Sequence, residues 1–186
     1  SEILLITDLA QEIGAKAHHI FFLVPTGRGR DIDALIPSSL EYESLIEKIL
    51  YKQSSVGLEV KPVCAPQFMR IAREKNIDVR FKKGCLAGIS YACVLPDGRV
   101  HPCPYMPITL GNIRKEGFVK IWKENEVLKK LRSMQFNGKC GICEFKTICS
   151  GCRAAAFYQS GGDFMSEDLN CIYEPEGKIN TEDTAV

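Results

Sequence analysis

Four thiols fall within thirteen residues in Cys140-Gly-Ile-Cys143-Glu-Phe-Lys-Thr-Ile-Cys149-Ser-Gly-Cys152. Four more stand at Cys85, Cys93, Cys103 and Cys171, so eight of the nine cysteines lie from residue 85 onward. Soft donors concentrated in this way point to metal chemistry rather than to packing. Zinc ribbons set two Cys-x2-Cys knuckles roughly 15–20 residues apart, whereas here five residues separate Cys143 from Cys149. One tetrahedral zinc site built from all four would be cramped. A compressed run suits an iron–sulfur cluster better, because the cluster spreads its ligands over a cuboid. In two-cluster ferredoxins the last cysteine of such a run ligates the neighbouring cluster. Spacing therefore favours iron–sulfur over zinc, and it lets Cys149 and Cys152 diverge towards different centres.

Two further groups of residues have chemical potential. Thr26, Arg28 and Arg30 belong to the loop Pro25-Thr-Gly-Arg-Gly-Arg-Asp31, and arginine suits bidentate binding of a carboxylate. Cys64, in Pro62-Val-Cys-Ala-Pro66, follows a predicted strand and is placed to contact a substrate, or a haem iron if the resemblance given below holds, although a lone cysteine is more often simply buried. The pair His18 and His19 alternates faces of one strand and suits structural roles. His101, beside Cys103, is expected on the surface of a hairpin.

The elements that must position these residues change character along the chain. Apolar residues at Ile3, Leu4, Ile6, Leu9, Ala10 and Ile13 followed by Gly14 predict a helix. His18-His-Ile-Phe-Phe-Leu-Val24 predicts a strand buried on both faces. Ser38 or Ser39 can cap a second helix carrying Leu40, Leu45, Ile46, Ile49 and Leu50. A strand at Gly57–Lys61 and a helix from about Gln67 to Lys75 follow. This alternation is that of a parallel α/β sheet or barrel, and two strands alone would leave edges unpaired. The first part is therefore expected to be the last portion of a β/α barrel whose other strands lie upstream. From Lys82 glycine, proline and cysteine become dense. Tyr91–Cys103 reads as a β-hairpin turning at Pro96-Asp-Gly98. A helix is predicted over Phe118–Met134, with Ile121, Trp122, Leu128 and Leu131 on its apolar face, and another over Arg153–Gln159. The division is 1–81, 82–174 and a polar tail at 175–186.

The cysteine pattern resembles the SPASM domain, the auxiliary-cluster module of many radical S-adenosylmethionine enzymes. The resemblance rests on Cys85-x12-Gly98-x4-Cys103, Cys140-x2-Cys143-x5-Cys149-x2-Cys152 and Cys171, with Pro96-Asp-Gly-Arg-Val-His-Pro-Cys-Pro104, Leu110-Gly-Asn-Ile113, Ile121-Trp122 and Cys152-Arg-Ala154 beside them. It covers about residues 84–173. The fold it implies is α/β: part of a radical-enzyme barrel, then a cysteine-rich α+β iron–sulfur domain with a hairpin. It implies that Cys140, Cys143, Cys149 and Cys171 hold an outer [4Fe–4S] cluster. Cys85, Cys103 and Cys152 would hold an inner one, with Cys93 as fourth ligand. One gap departs from the common pattern: two residues rather than three separate Cys149 from Cys152, which puts the inner cluster in question. That gap and the Pro25-Thr-Gly-Arg28 loop are similar to radical enzymes of alternative haem biosynthesis, which act on tetrapyrrole propionate or acetate side chains. Peptide-modifying maturases are the alternative within the superfamily.

The resemblance also sets requirements. Radical generation needs S-adenosylmethionine and a further [4Fe–4S] cluster on a Cys-x3-Cys-x2-Cys run, a spacing these 186 residues lack. The chain is thus expected to act as part of a longer enzyme, supplied with electrons by a ferredoxin or flavodoxin. A free-standing ferredoxin-like carrier or a zinc-stabilised interaction module are the readings from other classes. A net charge of +1 argues against nucleic acid or an acidic membrane as partner. Apolar runs are too short to span a bilayer. With Glu2 and Asp8 early in the chain, no signal peptide is expected, and so many free thiols suit the reducing cytoplasm.

Overall fold

The computed structural model describes residues 2–176, so most of the polar tail expected at 175–186 lies outside the described residues. Helix α1 (Glu2–Glu12) leads into strand β1 (Ala17–Phe21). The arginine loop, expected to be irregular, winds instead into 3-10 turns over Gly27–Leu35, kinked at Ile32. Helix α2 (Ser39–Gln53) begins at a capping box. The Ser38 hydroxyl accepts from the Glu41 amide, and the Glu41 carboxylate accepts from the Ser38 amide at 2.9 Å. Its buried stripe is Tyr42, Ile46, Ile49 and Leu50, at helical spacing. Strand β2 (Glu59–Val63) and helix α3 (Phe68–Glu74) complete this layer.

Strands β1 and β2 pair in parallel, from Ala17↔Glu59 to Phe21↔Val63. The expectation that β1 is buried on both faces does not hold. Ile20 is its one buried residue and Phe21 is 60% exposed, because among the described residues the sheet has two strands and leaves one face uncovered. One side of α1 is open as well: Leu5, Ile6 and Leu9, and Ile13 just after it, are exposed, while Ile3 and Ala10 pack on the first core. His18 hydrogen-bonds Thr7 (3.0 Å) and His19 bonds Glu59 (2.8 Å), so both histidines are satisfied structurally.

The second layer is a meander of short strands, β3 (Cys93–Val94), β4 (Arg99–His101) and β5 (Gly111–Asn112), antiparallel in that order. The hairpin was predicted and its third strand was not. Then come α4 (Ile113–Glu116), α5 (Phe118–Glu124), α6 (Glu126–Ser133), α7 (Gly138–Ile142) and α8 (Arg153–Gln159). The single helix expected over Phe118–Met134 is broken at Asn125, whose side chain accepts from the amides of Val127 (2.9 Å) and Leu128 (3.4 Å) and so starts α6 afresh. His101, expected at the surface, is buried, with Nε2 3.5 Å from the Thr109 hydroxyl.

Two apolar cores result. One gathers Ile20, Tyr42, Ile46, Ile49, Val60, Phe68 and Ile71, and Cys149 reaches into it from the cysteine run. The other gathers Val100, Met106, Ile121, Leu128, Leu131 and Ala155, and takes in Val24 from beyond β1. The cysteine run is the seam between them. No described helix is long and apolar enough to cross a membrane.

Candidate metal centres

The Cys149–Cys152 turn decides where the thiols go. Ser150 (φ 67°) and Gly151 (φ 59°) both take the left-handed conformation, which reverses the chain within two residues. A Cβ on Gly151 would stand 2.5 Å from an Arg153 guanidinium nitrogen and 3.0 Å from Asp168 Cβ, so glycine is required there. On one side of the turn, Cys149 joins Cys140, Cys143 and Cys171 around a first cavity. Its open space is small, about 30 Å3. On the other side, Cys152 joins Cys85 and Cys103 on a second cavity of about 370 Å3. Cys64 lines that second cavity too, and its thiol is the hydrogen-bonding neighbour of Cys152. The shortened gap therefore separates the two groups of sulfurs.

Seven of these sulfurs meet N–H donors, five of them in one local arrangement. The amide two residues on is turned towards the thiol at Cys85 (Ala87), Cys103 (Tyr105), Cys143 (Phe145), Cys149 (Gly151) and Cys171 (Tyr173). At Cys152 it is the amide of Ala155. Cys140 Sγ accepts from the Asp168 amide (3.5 Å) and from Arg153 Nη2 (3.7 Å). Such donors favour a thiolate. Burial opposes them: it pushes the Cys103 thiol up to about 12 and raises those of Cys85, Cys143, Cys149 and Cys171. At Cys152 the hydrogen bond with Cys64 is the largest contribution and burial adds to it. Without a cation, burial thus holds the thiols of Cys85, Cys103, Cys143, Cys149, Cys152 and Cys171 towards the protonated form; a bound metal supplies the missing charge.

Polar anchors that sequence reasoning missed hold the seam. Asp168, fully buried, accepts from the Cys152 amide (2.7 Å), the Gln67 side chain (2.8 Å) and the Asn170 amide (3.1 Å). Arg153 is 1% exposed and donates to the carbonyls of Ser166 (2.7 Å) and Phe164 (3.1 Å). Arg70 lines the first cavity, pairs with Glu43 (2.5 Å) and Glu74 (2.7 Å), and lies over the Tyr173 ring. Lys139 and Lys146 bring further positive charge to the same wall. The available signals were Arg153 directly after a cysteine and Asp168 three residues before Cys171.

Comparison with known families turns this geometry into an assignment. Residues 85–153 match the SPASM iron–sulfur cluster-binding domain. The chain carries a SPASM domain. Its similarity to individual proteins runs beyond those residues. The AdoMet-dependent heme synthase of Methanosarcina barkeri is 42% identical over 184 residues, 92% of this chain and 52% of that protein. The corresponding enzyme of Nitratidesulfovibrio vulgaris is 36% identical over 183 residues, covering 91% and 50%. A mycofactocin maturase of Mycobacterium tuberculosis is 29% identical over 177 residues, covering 88% and 42%. The chain spans about half the length of the curated relatives it matches.

Within and around the SPASM domain, the predicted site residues fall into three places. Cys140, Cys143, Cys149 and Cys171 share the first cavity, and Cys64, Cys85, Cys103 and Cys152 share the second. Cys93 stands on β3 opposite His101, near Cys103, and is not on the wall of either cavity. Thr26, Arg28 and Arg30 do not line these cavities either. Thr26 accepts from the Tyr158 hydroxyl (2.7 Å), the Arg30 guanidinium lies over the Tyr158 ring, and Arg28 is exposed. Among the described residues, no three His, Cys, Asp or Glu side chains converge as ligands of a single metal ion.

Proposed function

We propose that the chain is the auxiliary-cluster-bearing region of a radical S-adenosylmethionine enzyme that acts on propionate or acetate side chains of a haem-precursor tetrapyrrole. The observation that carries this reading is the second cavity. Its wall includes Phe21, Val63 and Cys64 at the carboxyl ends of the two parallel strands, together with the SPASM thiols Cys85, Cys103 and Cys152. The carboxyl end of a parallel sheet is where α/β enzymes place their reacting groups. A sulfur-rich site facing that end is positioned to meet a substrate there. The similarity to heme synthases over more than nine-tenths of the chain supports a tetrapyrrole over the peptide suggested by the more distant maturases.

In this reading the donor set fits its groups. Cys140, Cys143, Cys149 and Cys171 hold an outer [4Fe–4S] cluster among Arg70, Lys139 and Lys146, which offset its negative charge. Cys85, Cys103 and Cys152 hold an inner one. When bound, such clusters supply electron transfer and an iron that can bind substrate. The chain's own residues orient and enclose. Exposed Arg28 and Arg30 can each grip a carboxylate bidentately, and Tyr158 fixes their loop through Thr26. The open edge of β1 and the uncovered side of α1 suit packing by further β/α units of a barrel. The Cys-x3-Cys-x2-Cys segment, and the S-adenosylmethionine and third cluster it serves, lie outside these residues, with a ferredoxin or flavodoxin as electron donor. The narrow first cavity is the one feature that favours a smaller occupant such as zinc.

The test is anaerobic reconstitution with iron and sulfide, and metal and sulfide analysis, of the full-length enzyme that contains these residues and a Cys-x3-Cys-x2-Cys segment, then its turnover with S-adenosylmethionine and a propionate-bearing iron porphyrin. Mass spectrometry is expected to find side-chain carboxyl groups lost. Zinc without acid-labile sulfide would overturn the cluster assignment, and an unchanged porphyrin would overturn the substrate.

A further inference from the structure

Three of the four thiols on the second cavity belong to the SPASM domain, and the fourth, Cys64, does not. Cys64 directly follows β2 and holds φ 61°, in the left-handed region, where a residue with a side chain is held only if its surroundings insist. Here they do. The Tyr42 hydroxyl, itself buried, donates to the Cys64 carbonyl at 2.8 Å. In that conformation Cys64 shares the wall of the second cavity with Cys85, Cys103 and Cys152. Cys93 has a different situation. It pairs with His101 on the meander, near one sulfur of the set, Cys103, and off the cavity wall.

We propose that Cys64 completes the inner cluster as its fourth thiolate, so that the site is shared between the β/α layer and the SPASM domain and Cys93 is left outside it. This rests on the reading of the second cavity as a cluster site. A ligand from the end of β2 ties that cluster to the strand ends that face substrate. It also makes cluster assembly depend on docking of the two layers, since neither alone presents four sulfurs to this cavity.

The experiment compares iron, acid-labile sulfide and reduced-state EPR spectra of the anaerobically reconstituted protein with those of its C64G, C93A and C85A variants. Glycine is chosen at position 64 because it removes the thiol while relieving the positive φ, and C64S serves as a second variant that keeps the size. C85A is expected to lower iron by about four atoms per chain. C64G and C64S should lose iron from the same EPR component, while C93A matches the parent. Apo C64G should unfold at or above the parent's temperature, a result that a merely structural role for the thiol would not give. Parent-like iron and spectra in C64G and C64S alongside a loss in C85A would overturn the assignment, as would a loss confined to C93A. If C85A also keeps its full iron, the inner-cluster reading fails and this inference with it.

Discussion

Asp168 is the point at which the structure can be most sharply challenged. One oxygen accepts from the Cys152 amide at 2.7 Å and from the Gln67 side chain at 2.8 Å; the other accepts from the Asn170 amide at 3.1 Å. Gln67 precedes α3 and Cys152 precedes α8, so one carboxylate clamps the two layers. D168A strands at least two buried donors, each costing about 1–3 kcal/mol when left unpaired. Part of this is offset, because burial raises the Asp168 carboxyl above its usual range and its charged form is already penalised. A loss of about 3–4 kcal/mol is expected, a large fraction of the roughly 5–15 kcal/mol that holds a domain together. D168N keeps the shape and one acceptor, and should lose about half as much. Urea unfolding followed by circular dichroism and by the fluorescence of the single tryptophan measures both. A D168A loss under about 1 kcal/mol, or a D168N loss as large as that of D168A, would refute the clamp.

Two other outcomes follow from burial. The metal-free, reduced protein should lose stability in alkali. Thiols such as Cys103, raised to about 12 from 9.0, stay protonated when folded and ionise when unfolded. Their contribution is complete below about pH 9 and is lost towards pH 12, at about 1.4 kcal/mol per pH unit for each thiol. Thermal midpoints across pH 7–10 should fall above pH 9, less steeply for C103S, and a flat profile would contradict the described burial. L128A empties a fully buried position in the second core and should cost about 2–5 kcal/mol, read by the same unfolding assay. A smaller loss would mean that the α6 face is not packed as described.

What could be read from the sequence was local or depended on strong punctuation. The cap at Ser38, the buried Ile46, Ile49 and Leu50 and the Pro96-Asp-Gly98 turn are each decided within a few residues, and the structure has them, whereas Leu40, expected on the same face, is exposed and Tyr42 is buried instead. The helix break at Asn125 was missed because apolar spacing continues through it, while the side chain bonds that end one helix and start the next are a local choice. Burial on both faces of β1 was inferred from an apolar run, yet burial depends on what covers the strand. The clamp of Gln67 and the Cys152 amide on Asp168 includes a contact between positions 101 residues apart, and no periodicity reports such a contact. Spacing and resemblance together led to two groups of thiols with Cys93 in the second, whereas it is Cys64, not Cys93, that shares the second cavity with Cys85, Cys103 and Cys152. The mechanism of the sorting, two successive left-handed residues at Ser150 and Gly151, needed the backbone.

The thiols also explain why their surroundings are built in opposition. Amides turned towards these sulfurs favour thiolates, while burial disfavours them at Cys85, Cys103, Cys143, Cys149, Cys152 and Cys171, and at Cys103 and Cys149 burial prevails. A fold selected for packing alone would avoid this conflict by placing apolar side chains there. A fold built for metal gains from both halves. The amides lower the cost of forming the thiolate once a cation arrives, and the dry cavity strengthens the attraction between them. Because Cys149 and Cys152 share a two-residue turn, and the backbone of Asp168 serves Cys140 while its carboxylate serves Cys152, the two sites are mechanically one. Lengthening that turn by a residue would leave Cys149 in the first core and displace Cys152. Disruption at the turn should therefore strike the second cavity first, the one that faces the strand ends.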